Sequence, residues 1–476
     1  MRSKKCSMVM LFLIACVFVV ANSMGIIRGY NNDDCMIFNT IGKFWEEGKV
    51  PYIDLFDHKG PLIFFINMLS WKFFHCEQGT LFFQIFSIFI MLIFLFKIAK
   101  LEVKSNWKCL FFTVITLLFL GLIYSGGNMT EEYCLPFITA SLYFTLVYLK
   151  KYVDDKVTKH SIKYAFVYGI SFAVCFLTRV TNAVGICVGI LLILIILIKE
   201  KEGKNIFENA LGFLIGFLAI FVPFAVYFAK KNAFYEMLEG TILFNLKYAT
   251  NSASWLQGEV SMYTVRLYLQ HFFPSYMIFI VGLLKFKKEK NAIGIFYILL
   301  GIFETILFMT GRLLQHYAMI CLPNLLLIVL ELEKSKISKN YKVVVYSFMI
   351  IGCLGISIKR YIKRIVPDHS AYESLMVQIP ETEKESFIAV DVSFRAIYER
   401  YDVCPYYKYF VLQDFQASNS EKLYQQMYDT FLNGHVKWIL FGGNLEESFM
   451  KTIVKERYDV VAQEESIGIT LYRMKD

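Results

Sequence analysis

Apolar runs about as long as a bilayer is thick recur along this sequence, and they restrict the folds open to it more than any other feature. They lie near residues 7–27, 79–97, 109–124, 134–149, 164–179, 182–198, 206–228, 268–284, 291–310, 316–332 and 342–358, about eleven in all. A stretch of ~17–25 apolar residues crosses hydrocarbon as a helix, because only bonds within the segment can satisfy its backbone there. Lysines cluster between the runs, in MRSKK, KIAKLEVKSNWK, KKYVDDKVTKHSIK, KEKEGK, KFKKEK and EKSKISKNYK, always on alternate connections. Lysine-rich loops stay in the cytoplasm, so the amino terminus is expected inside and the intervening loops outside. The expected fold class is a multi-spanning α-helical membrane protein. Its 57% hydrophobic content is more than a soluble domain could cover.

Two segments need separate treatment. Residues 1–23 could pass for a signal peptide, with LIAC at 13–16 resembling a lipoprotein cleavage box, but apolar VFVV follows where a polar tether belongs. An uncleaved first span is expected. The piece at 61–74 has about 14 residues and ends near Trp71 and Lys72, which suits an interfacial or re-entrant helix. Counting it as a span would put every later lysine cluster outside.

The texture changes near residue 366, which divides the chain into a transmembrane domain, 1–360, and a small extracytoplasmic α/β domain, 361–476. In the second, FIAVDV, YKYFVLQ, VKWILFGG and GITLYRM read as strands, and SFRAIYERY, SEKLYQQMYDTFLNG and LEESFMKTIVKERY as helices. The Gly-Gly after the third strand reads as a turn. The +9 charge is spread over membrane-flanking clusters, so no nucleic-acid partner is expected. The eleven cysteines lie mostly within apolar runs and have no zinc-type spacing. No cofactor is expected, and a divalent metal is left open.

Ionisable groups crowd the first outer loop, GYNNDDCMIFNTIGKFWEEGKVPYIDLFDHKGPL. Asp33 and Asp34 could be plain solvated acids, or one could act as a general base on an acceptor hydroxyl. Lys59 could snorkel from a helix end, or hold a departing phosphate where negative charge develops. In the second outer loop, YSGGNMTEEYCLPF, Glu131 and Glu132 fit the first turn of a helix with Thr130 near its cap, or a second catalytic acid. In GRLLQHYAMICLP, Arg312, Gln315, His316 and Tyr317 gather at a helix entrance, where Arg312 could bind phosphate as a rigid fork. Arg179 lies near an outer helix end and could also face a carrier phosphate. Glu304, within the membrane, has no assigned role.

These motifs, in this order and on one face, resemble the GT-C glycosyltransferases, the superfamily of protein O-mannosyltransferases and of the aminoarabinose transferases that modify lipid A. The resemblance covers roughly residues 1–335. It implies that Asp33 is the catalytic base with Asp34 beside it, that Lys59 of KGPL serves the carrier phosphate, and that Glu131 or Glu132 is the second-loop acid. Gly60 stands where the family has a proline, which suggests a bacterial branch whose sugar and acceptor do not carry over. The implied donor is a polyprenyl-phosphate-linked sugar, in contact with membrane lipid. The acceptor would be a cell-envelope glycan, lipid or protein. A transporter or flippase of lipid-linked sugars is the competing reading. It calls for repeats or broken helices with polar groups near mid-membrane, whereas the charges here cluster in outer loops.

Overall fold

The computed structural model describes residues 2–23, 33–246, 262–309, 313–362, 370–392, 394, 396–411, 413 and 421–475. The chain is a multi-spanning helical protein carrying one small sheet. Helices α1 (Arg2–Asn22), α2 (Asp33–Glu46), α3 (Pro61–Phe74), α4 (Thr80–Glu102), α5 (Asn106–Ile123), α6 (Thr130–Asp154) and α7 (Ile162–Phe176) open the fold. Among the described residues, eight helical segments are long and apolar enough to cross a membrane: Glu77–Glu102, Asn106–Ile123, Thr130–Asp154, Val180–Lys199, Gly203–Lys230, Ala292–Met309, Gln315–Lys334 and Lys339–Ile358. The pair Met262–His271 and Phe273–Glu289, bent by 60°, makes a ninth when counted as one broken span. Pro274, in the first turn of the second member, lacks an N–H and suits a helix start but not a continuous helix. The two remaining expected spans correspond to the shorter apolar helices Ser7–Asn22 and Ile162–Phe176, and 61–74 forms a 14-residue helix.

The chain divides into two compact units. One comprises Met1–Ile26, Leu81–Tyr227 and Ser252–Arg364; the other comprises Ile27–Thr80, Phe228–Asn251 and Ile365–Asp476. In the first, lysines and glutamates at the C-terminal ends of α4, α6, Phe273–Glu289 and Leu322–Lys334 converge. Lys150 and Lys334 both pair with Glu102 (2.9 and 2.6 Å), and Lys285 reaches Glu331 (3.2 Å). Lys108, at the start of α5, pairs with Glu333 at 2.8 Å. Helices that alternate in direction thus bring the charged ends expected to share one face to the same end of the bundle.

In the second unit, α2 and α3 pack closely because Gly42 has no side chain; a Cβ there would lie 2.5 Å from that of Asn67. The sheet of this unit has the order β1 (Phe387–Val390), β2 (Trp438–Gly442), β4 (Ile469–Met474), β3 (Tyr458–Glu464). The β1 and β2 strands are parallel, and β4 runs antiparallel to both its neighbours. Its apolar side buries Ile388, Val390, Ile439 and Phe441 against Phe431 and Val454.

Two expectations fail here. Among the described residues of the expected strand 407–413, none is in a strand: Lys408 gives its carbonyl to the Phe56 N–H (2.8 Å), and Tyr409 packs on the Phe56 ring. The alternation there reflects packing on the first loop, not a sheet. Residues 458–464, partly read as helix end and otherwise unassigned, form the edge strand β3.

Candidate functional site

Within the second unit, the turn leading to Lys59 is built on Tyr52. Its φ of +71° is left-handed, a conformation costing a non-glycine residue about 1–3 kcal/mol, so the surroundings must impose it. They do so at three points. Tyr52 N–H donates to the Leu55 carbonyl at 2.7 Å, the ring packs on Phe64 and Phe228, and the hydroxyl donates to the Lys59 carbonyl at 2.7 Å. Asp57, itself buried, accepts from the Lys59 N–H at 2.9 Å. Asn245 donates to the His58 carbonyl at 2.6 Å.

This leaves the Lys59 ammonium buried, with its Nζ 2.9 Å from His58 Nε2. The result is a cation fixed in place on a tightly held turn. Asp33 opens α2, and its side chain lies outside the described residues; Asp34 is half-buried in the same first turn. Carboxylates in that position suit the positive end of a helix.

Within the first unit, the second outer loop contains an unusual turn. Ser125, Gly126, Gly127 and Asn128 all have positive φ (+53°, +91°, +83° and +56°). Glycine takes such values freely, but serine and asparagine must be held there. Glu132 is the fastening. Its carboxylate accepts from the Tyr124 hydroxyl and, at 2.7 Å, from the Asn128 N–H, while Tyr133 donates to the Asn128 side chain at 3.1 Å. Gly127 is required on space as well, because a Cβ would sit 2.6 Å from Gln84 Nε2.

Glu131 faces other partners. It is fully buried, 2.8 Å from the Arg179 guanidinium, with the Thr130 hydroxyl donating to it at 2.9 Å. Arg179 stacks on Tyr317, with its Cζ 3.3 Å from the ring centroid, and His316 meets the Tyr317 ring edge-on at 4.6 Å. Glu131, Arg179, His316 and Tyr317 therefore form one cluster, and Glu132 is committed to the turn. The helix cap is Met129, without a side-chain bond, and Thr130 follows it at the first helical position, near the cap as expected. Arg312 lies outside the described residues.

The sequence reading did not single out Tyr52, Tyr124, Asn128 or Asn245. Their only local signals were the Pro-Tyr and Gly-Gly-Asn turns. Among the described residues, no three His, Cys, Asp or Glu side chains are grouped as a metal ion would require.

The chain shares its fold with two membrane proteins of known structure. It superposes on ArnT from Cupriavidus metallidurans bound to undecaprenyl phosphate, with TM-score 0.59 and 13% identity over 98% of this chain and 97% of that one. It also superposes on the apo oligosaccharyltransferase of Archaeoglobus fulgidus, with TM-score 0.53 and 12% identity over 92% of this chain and 70% of that one. The same oligosaccharyltransferase tethered to an acceptor peptide containing the NVT sequon gives TM-score 0.50 at 10% identity, over 98% and 74% of the two chains. No curated protein matches by sequence. At the level of fold, the expectation from the loop motifs is met. A family model, the competence-induced protein Ccs4 N-terminal domain, matches residues 1–346, and with so much of its length matched the chain belongs to that family.

Proposed function

We propose that this chain is an integral-membrane glycosyltransferase that moves a sugar from a polyprenyl-phosphate donor to an acceptor in the cell envelope. The observation that carries the reading is a fold shared over nearly the whole chain with ArnT bound to undecaprenyl phosphate, together with the acid pair Asp33–Asp34 at the head of α2. In this reading the amino terminus is cytoplasmic and transfer takes place at the outer face.

Asp33 removes the proton from an acceptor hydroxyl as its oxygen attacks the anomeric carbon. The new glycosidic bond forms as the bond from that carbon to the phosphate oxygen breaks. The polyprenyl phosphate leaves with the electron pair, and a single displacement inverts the anomeric centre. The charge of the departing phosphate is met by Lys59, held on the Tyr52 turn; Arg179, Arg312 and His316 are the further groups proposed to serve the carrier phosphate. Between the two adjacent glutamates, Glu131 is the second-loop acid, since its partner is Arg179 and the Glu132 carboxylate is engaged by Tyr124 and Asn128. The acceptor is a glycan, a lipid or a protein.

The test is mass spectrometry of surface polysaccharide, lipid and protein from cells with and without the gene. Loss of one defined sugar modification is expected. An unchanged envelope would contradict the reading.

A further inference from the structure

We infer that the C-terminal α/β domain acts as a clamp that positions the helix bearing Asp33 and Asp34, with Lys43, Asn39, Asp402 and Glu399 as positioning residues. This inference rests on the role proposed above for that acid pair. Asn39 and Lys43 are four residues apart on α2, hence on one face, and both are buried. Lys43 Nζ pairs with the Asp402 carboxylate and lies 3.4 Å from the Glu399 carbonyl oxygen. The Asn39 amide donates to the Glu399 carboxylate, and its oxygen accepts from Trp71 Nε1 of α3 at 2.9 Å. Glu399 belongs to the short helix Ile397–Arg400, and Asp402 sits in the turn that ends it with φ +54°.

The same C-terminal stretch also grips the turn that carries Lys59. Phe56 donates its N–H to the Lys408 carbonyl at 2.8 Å and packs with Phe244, Tyr409 and Met427. Both functional segments of the first loop are therefore tied to residues 399–409.

Polar groups on a buried helix face are costly without partners, and here every partner on the far side comes from the C-terminal domain or α3. Asn39 lies six residues from Asp33, about 9 Å along a rigid helix, so a shift at the clamp is passed on to the carboxylates. A misplacement of about 1 Å can cost a reaction about 10²-fold.

The experiment uses the full chain, with variants Asp402→Asn, Glu399→Ala and the charge swap Lys43→Asp with Asp402→Lys. Three quantities are measured: hydrogen exchange of residues 33–46 in detergent, affinity for undecaprenyl phosphate as the probe, and the envelope modification restored in gene-deleted cells at matched protein level. Asp402→Asn and Glu399→Ala should raise exchange across 33–46 and lower modification about tenfold or more, with probe affinity changing less than about twofold. The charge swap should recover part of the loss. Unchanged exchange with unchanged modification would overturn the clamp, as would modification and probe affinity falling together. If the wild type restores no modification, the transferase reading fails, and exchange across 33–46 still decides whether the clamp exists.

Discussion

Glu131 and Glu132 are adjacent, equally buried and chemically identical, yet one meets a guanidinium and the other a tyrosine hydroxyl and a backbone N–H. Sequence could not choose between them, because both read as first-turn acids of α6. The choice is made by four consecutive positive φ angles at residues 125–128, which turn the Asn128 N–H toward Glu132. Glu132→Gln should therefore lower stability by about 1–3 kcal/mol, since an amide matches those two donors with only one acceptor oxygen. Glu131→Gln keeps an acceptor for Arg179 but loses the charge that holds it, and should reduce envelope modification about tenfold with a smaller effect on stability. Thermal midpoints of the detergent-solubilised variants, compared with modification in complemented cells, check the pair. A larger stability loss from Glu131→Gln together with normal modification would reverse the assignment.

At the level of elements, spans and core strands were readable because their patterns are long or fully apolar. The elements that were missed are those whose surroundings override the local pattern. The strand β3 exposes most of its residues, and Asp459, Gln463 and Glu464 hide its period, as suits an edge strand protected by charge. The segment 407–413 reads like a strand, but Lys408 and Tyr409 hold the first loop. The clamp on α2 was also invisible, because Asn39–Glu399 joins positions 360 residues apart.

That contact carries a pH prediction. Burial, with Glu77 nearby, pushes the Glu399 carboxyl up from its ordinary 4.5 to about 8, against the opposing influence of Asn39, Lys43 and Arg400. A carboxyl raised in the folded state contributes stability that is fully present below its unfolded pKa and is lost as pH rises through the folded one. The window here is therefore about pH 4.5 to 8. Wild type and Glu399→Gln should melt together near about pH 5, and the wild type should fall below the variant by about pH 9. Parallel melting across that range would contradict the assignment.

For the whole molecule, we propose from the lysine pattern that residue 150 is cytoplasmic and residue 470 outside. Reporter fusions at the two positions should give opposite signals; equal signals would mean a miscounted span. In the proposed mechanism the first loop supplies a base and a phosphate anchor with separable effects. Undecaprenyl phosphate affinity and restored envelope modification, measured side by side for Asp33→Asn and Lys59→Ala, test it most directly. Asp33→Asn should cut modification by about 10² to 10⁴ with affinity unchanged, Asp34→Asn should be milder, and Lys59→Ala should weaken both quantities. Near-normal modification by Asp33→Asn would contradict the account.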